Sequence, residues 1–210
     1  MTIAGTIYGV VLNDGREREA LAAAFGDAPY KAPPEAPVVY IKPRLCATTA
    51  GAPVPLPEDT DALQVSATVA LLFARDVCRT DAADALKGVA AACLALDVSV
   101  PEASYYRPAV AQRCRDGFLP VGRFADVPAT WAEVTTLIDG ERAHSWSLDR
   151  LVRPAAQLIA DLSQFMTLKA GDVLLVGLPG DAPTARAGQR IRVEGAGLPP
   201  LETIIAEGGK

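Results

Sequence analysis

Apolar and polar positions alternate over residues 6–12, the period-two pattern of a half-buried strand. Asp14-Gly15 then breaks it ahead of an alanine-rich, helix-favouring stretch that ends near Phe25-Gly26. Pro29, Pro33, Pro34 and Pro37 hold off regular structure until residues 38–41, a short apolar strand that delivers Lys42 and Pro43 to its end. Pro53, Pro55 and Pro57 mark residues 52–61 as a surface loop, and residues 65–73 read as an apolar strand. Thr80 or Asp81 is placed to cap an alanine-rich helix running to about Leu94, because Ala85, Leu86, Val89, Ala92 and Cys93 recur at helical spacing. Residues 131–138 and 141–146, joined by Asp139-Gly140, carry the clearest hairpin signal in the chain. A second helix is predicted from Pro154 to Phe165, with Leu158, Ile159, Leu162 and Phe165 on its buried face. Strand patterns at residues 172–176, 189–194 and 201–206 complete the chain. Many short strands with two or three helices are not the regular alternation of a doubly wound sheet, so the expected class is α+β with antiparallel or mixed strands.

Length and composition narrow this further. At roughly 150 residues per domain, 210 residues predict one domain over 1–210, divided into an N-terminal strand-helix lobe over 1–50 and a β-rich core over 51–210. Half the residues are hydrophobic, enough to build a large core. Twenty Lys and Arg stand against 25 Asp and Glu, a net charge of −5, which argues against a nucleic-acid or anionic-membrane surface as partner. No run approaches the roughly 20 apolar residues that span a bilayer. The start, Met1 to Gly5, lacks the pattern of a secretory signal, and a cytoplasmic location is expected. Cys46, Cys78, Cys93 and Cys114 lie far apart and His144 is the only histidine, so neither a zinc cluster nor a disulfide framework is indicated. The absence of Gly-x-Gly-x-x-Gly and phosphate-loop motifs leaves nucleotide binding without support.

Candidate chemistry gathers in Tyr105-Tyr106-Arg107-Pro108 and Arg113-Cys114-Arg115-Asp116-Gly117-Phe118. Three arginines, two phenols and a carboxylate suit an anionic substrate, and suit a surface ion-pair cluster equally well. Lys42-Pro43-Arg44 could add charge to such a cleft, although a solvated strand end is the simpler reading. Asp97 sits between apolar segments; if buried, it needs a cation or an arginine as partner. His144 reads as structural or solvent-facing.

At these residues the chain resembles the fumarylacetoacetate hydrolase family. Lys42-Pro43 before a proline-rich loop, Asp97, Arg113 to Phe118, Phe165-Met166-Thr167-Leu168-Lys169-Ala170-Gly171-Asp172 and Gly177-Leu178-Pro179 occur in that family's order. With Tyr30-Lys31-Ala32-Pro33-Pro34, Ile41-Lys42-Pro43-Arg44 and Tyr105-Tyr106-Arg107-Pro108, the likeness narrows to the amino-terminal half of the family's two-part isomerase/decarboxylase branch. The resemblance implies a mixed β-sandwich roll, and action on an oxopentene tricarboxylate and a hydroxyheptadiene dioate. It also implies Mg²⁺ or Mn²⁺ held by Glu-x-Glu and an aspartate, and assembly as a homodimer or with a sister subunit. Carried over residue by residue, Lys42 and Arg113 fall at catalytic positions, and Tyr106, Arg107, Arg115, Asp116, Gly177 and Pro179 at substrate-binding positions. Asp97 falls at a metal position. The Glu-x-Glu positions hold Ser66 and Thr68, Arg113 replaces a lysine, Leu178 replaces a threonine, and no His-x-x-Glu pair stands in residues 13–19. A weak or absent cation is therefore expected. The chain is read either as a catalytic subunit with a modified site, or as a scaffold half beside a sister chain carrying the intact cage.

Overall fold

The computed structural model describes residues 3–102, 109–131 and 133–207. Twelve strands and five short α-helices follow one another among these residues. Strand β1 (Ile7–Val11) leads into helices α1 (Gly15–Ala20) and α2 (Ala22–Gly26), then β2 (Val38–Lys42), β3 (Ala47–Thr49) and β4 (Leu63–Phe73). Helix α3 (Ala82–Ala85) precedes β5 (Val89–Ser99), α4 (Val110–Arg113), β6 (Leu119–Val121) and the hairpin β7 (Glu133–Ile138) and β8 (Glu141–Ser147). Helix α5 (Ala155–Ser163), β9 (Val173–Leu175), β10 (Thr184–Ala185), β11 (Arg190–Gly195) and β12 (Leu198–Ile204) complete the order.

The larger sheet runs β2-β1-β9-β4-β5-β6-β3 with β10 beside β4, and the smaller runs β12-β11-β7-β8. Strands β1 and β9 pair in parallel, as do β3 and β6, while β4 and β5 pair antiparallel along their length. The larger sheet is therefore mixed and the smaller wholly antiparallel, and the class is α+β as expected. Alternate residues of β4 and β5, including Val65, Ala67, Val69, Leu71, Leu94, Leu96 and Val98, face the smaller sheet and form the main core with Val134, Trp146, Ile191 and Leu201. The Trp146 indole N–H bonds the Ala67 carbonyl at 3.0 Å, tying the two layers. In the turn between β7 and β8, Asp139 and Gly140 both have positive φ, +52° and +87°, the left-handed pair that matches the twist of a tight hairpin.

The large sheet curls on itself. Its two edge strands, β2 and β3, are joined only by residues 43–46. A flat sheet of this order would hold its edges about 29 Å apart at ~4.8 Å per strand, whereas the five steps of chain from Lys42 to Ala47 span at most about 18 Å. The concave side of the roll is lined by a second core of Ile7, Ala70, Leu72, Cys93, Ala95, Leu119, Val121, Val173 and Leu175. Its alanines and cysteine are small where the curl leaves little room.

Two predicted elements are corrected. Asp81 does cap a helix, its carboxylate accepting from the Asp84 N–H at 3.0 Å, but that helix ends at Ala85, and residues 89–99 form a central strand rather than the helix expected to reach Leu94. Alanine favours helices locally; here pairing with β4 and burial on both faces override that preference. Phe165 lies beyond α5 and is 67 % exposed, so of the four residues expected on the buried face only Leu158, Ile159 and Leu162 are buried. None of the described helices is long and apolar enough to cross a membrane.

Candidate functional site

Strand register builds the site. In β4 and β5, Ser66 stands directly opposite Asp97, and Thr68 lies two residues along on the same face, so all three line the concave side of the roll. Across the sheet, Gly9 pairs with Tyr40 and Ile7 with Lys42, which aims Tyr40 and Lys42 into the same space. The Tyr40 hydroxyl donates to Asp97 Oδ2 at 2.6 Å. The Lys42 ammonium donates to the Phe118 carbonyl at 2.8 Å and the Val98 carbonyl at 3.1 Å, and stands 3.5 Å from Asp97 Oδ1. Arg113, at the end of α4, donates to Asp97 Oδ1 at 3.2 Å and to Glu102 Oε1 at 2.7 Å, with its guanidinium 5.5 Å from the centre of the Tyr40 ring.

Asp97, fully buried, thus has the partner its burial demands, and has it twice over. Lys42, read from the sequence as a solvated strand end, is instead 1 % exposed, because the curl carries β2 over β5 and β6. Burial pushes the Lys42 ammonium below its ordinary range, with Asp97 pulling the other way. Burial would also lower Arg113, but the Asp97 and Glu102 carboxylates outweigh it and hold the guanidinium more firmly protonated than usual. Among the described residues, two cations and two carboxylates join in one network whose formal charges balance.

The other expected site residues divide. Thr68 donates to the Gly177 carbonyl at 2.5 Å, which ties the strand carrying Ser66 to the Gly177-Leu178-Pro179 segment. Gly177 and Pro179 are both buried, and Leu178 packs with Val11, Leu12 and Phe25 in a small cluster under the helices. Arg115 turns to the surface, where it pairs with Asp59 at 3.3 Å, and Asp116 is exposed. Tyr106 and Arg107 lie outside the described residues. Arg44, which sequence spacing grouped with Lys42, points away from the network and donates to the Ala4 carbonyl at 3.2 Å.

Tyr40 and Glu102 belong to the network although sequence reasoning did not select them. Tyr40 could have been found from its two-residue spacing to Lys42 on one strand; Glu102 carries no such signal. His144 contributes to a second polar cluster, its Nε2 lying 2.9 Å from Asp181, which with Asp14 also holds Arg150. Beside Tyr40, Glu102 and Arg113 opens a cavity of about 770 Å³, walled mainly by apolar side chains including Val38, Val110 and Phe165.

The sequence from residue 6 to 206 matches the family described as fumarylacetoacetate (FAA) hydrolase C-terminal. The chain belongs to the fumarylacetoacetate hydrolase family. It is 40 % identical over 204 residues to a 4-hydroxyphenylacetate degradation bifunctional isomerase/decarboxylase of Escherichia coli, covering 97 % of this chain and 47 % of that protein. It is also 40 % identical to the protein of the same description from Salmonella dublin, over 97 % and 48 % of the two chains. This chain therefore spans about half the length of these curated relatives. In fold it is similar to a 5-carboxymethyl-2-hydroxymuconate delta-isomerase from Mycobacterium smegmatis, with a TM-score of 0.84, 23 % identity and coverage of 100 % of this chain and 81 % of the other. It is similar in the same way to a fumarylpyruvate hydrolase from Pseudomonas aeruginosa in complex with Mn²⁺ and pyruvate, with a TM-score of 0.82, 20 % identity and coverage of 98 % and 94 %.

The family resemblance implies a divalent cation beside Asp97, and the donor set here does not fit one. Hard cations take anionic oxygens. Ser66 and Thr68 offer neutral hydroxyls, the Thr68 hydroxyl being committed to Gly177, while both Asp97 oxygens are engaged by Tyr40, Lys42 and Arg113. Among the described residues no three His, Cys, Asp or Glu side chains converge as metal ligands. A third cation would also meet the repulsion of the two already present.

Proposed function

We propose that this chain is one half of an isomerase/decarboxylase of the 4-hydroxyphenylacetate degradation type, acting in the cytoplasm as a scaffold half in which the cation cage has become a closed ion-pair network. Turnover of the oxo-tricarboxylate and dienoic dicarboxylate substrates then takes place in a sister subunit with an intact Glu-x-Glu cage, with which this chain assembles as a heteromer. The observation that carries this reading is the Asp97 carboxylate, held by Lys42 and Arg113 together. Similarity over about half of each bifunctional relative supports the paired arrangement.

The alternative is that this chain catalyses with a metal-free site. The 770 Å³ cavity beside Tyr40, Glu102 and Arg113 favours it. Balanced charge at Arg113 counts against it, since a dicarboxylate entering there has to displace Glu102 or Asp97 from the guanidinium.

Calorimetric titration with Mn²⁺ and Mg²⁺, combined with decarboxylase and isomerase assays of this chain alone and mixed with the sister chain, tests the proposal. Expected are no cation binding tighter than millimolar, no turnover alone, and turnover on mixing. Micromolar Mn²⁺ binding, or turnover by this chain alone, overturns it.

A further inference from the structure

A second cavity, of about 590 Å³, opens where β3, the 3-10 turn Arg44–Cys46 before it and the segment after β6 meet. It shares no lining residue with the Asp97 network. Among the described residues, Arg44 and Arg123 are the charged side chains on its wall, and no carboxylate lines it. Arg123 has no hydrogen-bond or ion-pair partner among the described residues. Arg44 spends one donor on the Ala4 carbonyl, leaving the rest of its fork uncommitted to protein.

The two arginines keep donors that no described protein group takes up. Both guanidinium groups are exposed, and each is shaped to accept a carboxylate in its fork. The remaining wall is apolar, with Ile3, Val121 and Phe124, and suits a carbon spacer better than a second polar group.

We propose that this cavity binds a small dicarboxylate, one carboxylate at Arg44, the other at Arg123, with the apolar wall covering the spacer. The site lies apart from the Asp97 network and does not depend on the function proposed above. A ligand here would brace the β3 edge of the roll against the segment leaving β6.

The test is calorimetric titration of the full chain with glutarate, butyrate and inorganic phosphate, with amide chemical shifts locating the contact. Saturable glutarate binding is expected, with butyrate weaker by about tenfold, and with Arg44→Gln and Arg123→Gln each weakening glutarate by about tenfold. Both arginines are exposed, so these variants keep the fold, which far-UV circular dichroism checks. Shift changes should fall on Thr48, Gly122 and Arg123. The proposal is overturned by absence of saturable glutarate binding, by undiminished binding in the Arg44→Gln/Arg123→Gln double variant, by phosphate binding as tightly as glutarate, or by shift changes around Arg113 instead.

Discussion

Tyr40 reaches Asp97 across Gly9. The Tyr40 ring lies over the Gly9 backbone so closely that a Cβ on residue 9 would stand 2.0 Å from the ring, and the hydroxyl then meets Asp97 Oδ2 at 2.6 Å. Gly9→Ala should displace the ring and cost about 1–3 kcal/mol. Tyr40→Phe should cost a similar ~1–3 kcal/mol by removing a donor from a buried carboxylate. In a Tyr40→Ala background, Gly9→Ala should be nearly silent. Urea denaturation of the five proteins measures each term, and equal costs of Gly9→Ala in both backgrounds would show that the two residues are independent.

Removing one member of the ion-pair network leaves its partners buried and uncompensated. Asp97→Asn should cost about 3–5 kcal/mol, since Lys42 and Arg113 then face each other without a shared countercharge, and Lys42→Met should cost a similar amount. Both changes delete parts of one interaction, so the double variant should be clearly less unstable than the sum of the two. Additive losses in chemical denaturation would contradict the network.

Two buried thiols disfavour the fold at alkaline pH. Burial pushes Cys93 up from 9.0 to about 12, and Cys46 up from 9.0 to about 11. Above pH 9 the unfolded chain therefore loses these protons while the folded chain keeps them. Their contribution is complete below that pH and is lost as pH climbs towards the folded values, by about 1.4 kcal/mol per pH unit for each thiol. Lys42 works in the opposite direction, because its folded value is lowered by burial: stability returns as pH rises from that value towards 10.5. Cys93→Ala should flatten the loss between pH 9 and 11 relative to the starting protein, whatever its absolute stability. An unchanged slope in thermal melts across that window would refute the assignment.

Restoring the missing carboxylates should not restore the cage. In Ser66→Glu/Thr68→Glu, the Asp97 oxygens are still taken by Tyr40, Lys42 and Arg113, so Mn²⁺ affinity should stay within about threefold of the starting chain. Adding Lys42→Met, which removes one competing cation, should raise it by about tenfold or more. Calorimetry of the three proteins decides this, and micromolar binding by the double variant alone would show that ligand loss by itself disabled the site.

Local patterns predicted the elements whose signals are local. The β7–β8 hairpin follows from Asp139-Gly140 between alternating runs, and the apolar stripe Leu158, Ile159, Leu162 places α5. The motif order around Lys42, Asp97 and Arg113 identified the family, and the exchange of Glu-x-Glu for Ser66 and Thr68 flagged the altered cage. Helical spacing failed at β5 because alanine and cysteine there answer to a neighbouring strand and a narrow roll, neither of which is encoded within a few residues.

What the sequence determined by itself was therefore the family, the class of fold and the residue types at the site, since these are carried by spacing and chemistry along the chain. Tertiary structure decided which charges meet. Only the curl of the large sheet brings Lys42 to Asp97 across 55 residues and parts it from Arg44 two positions away, because partners in a rolled sheet are set by register and burial rather than by distance along the backbone.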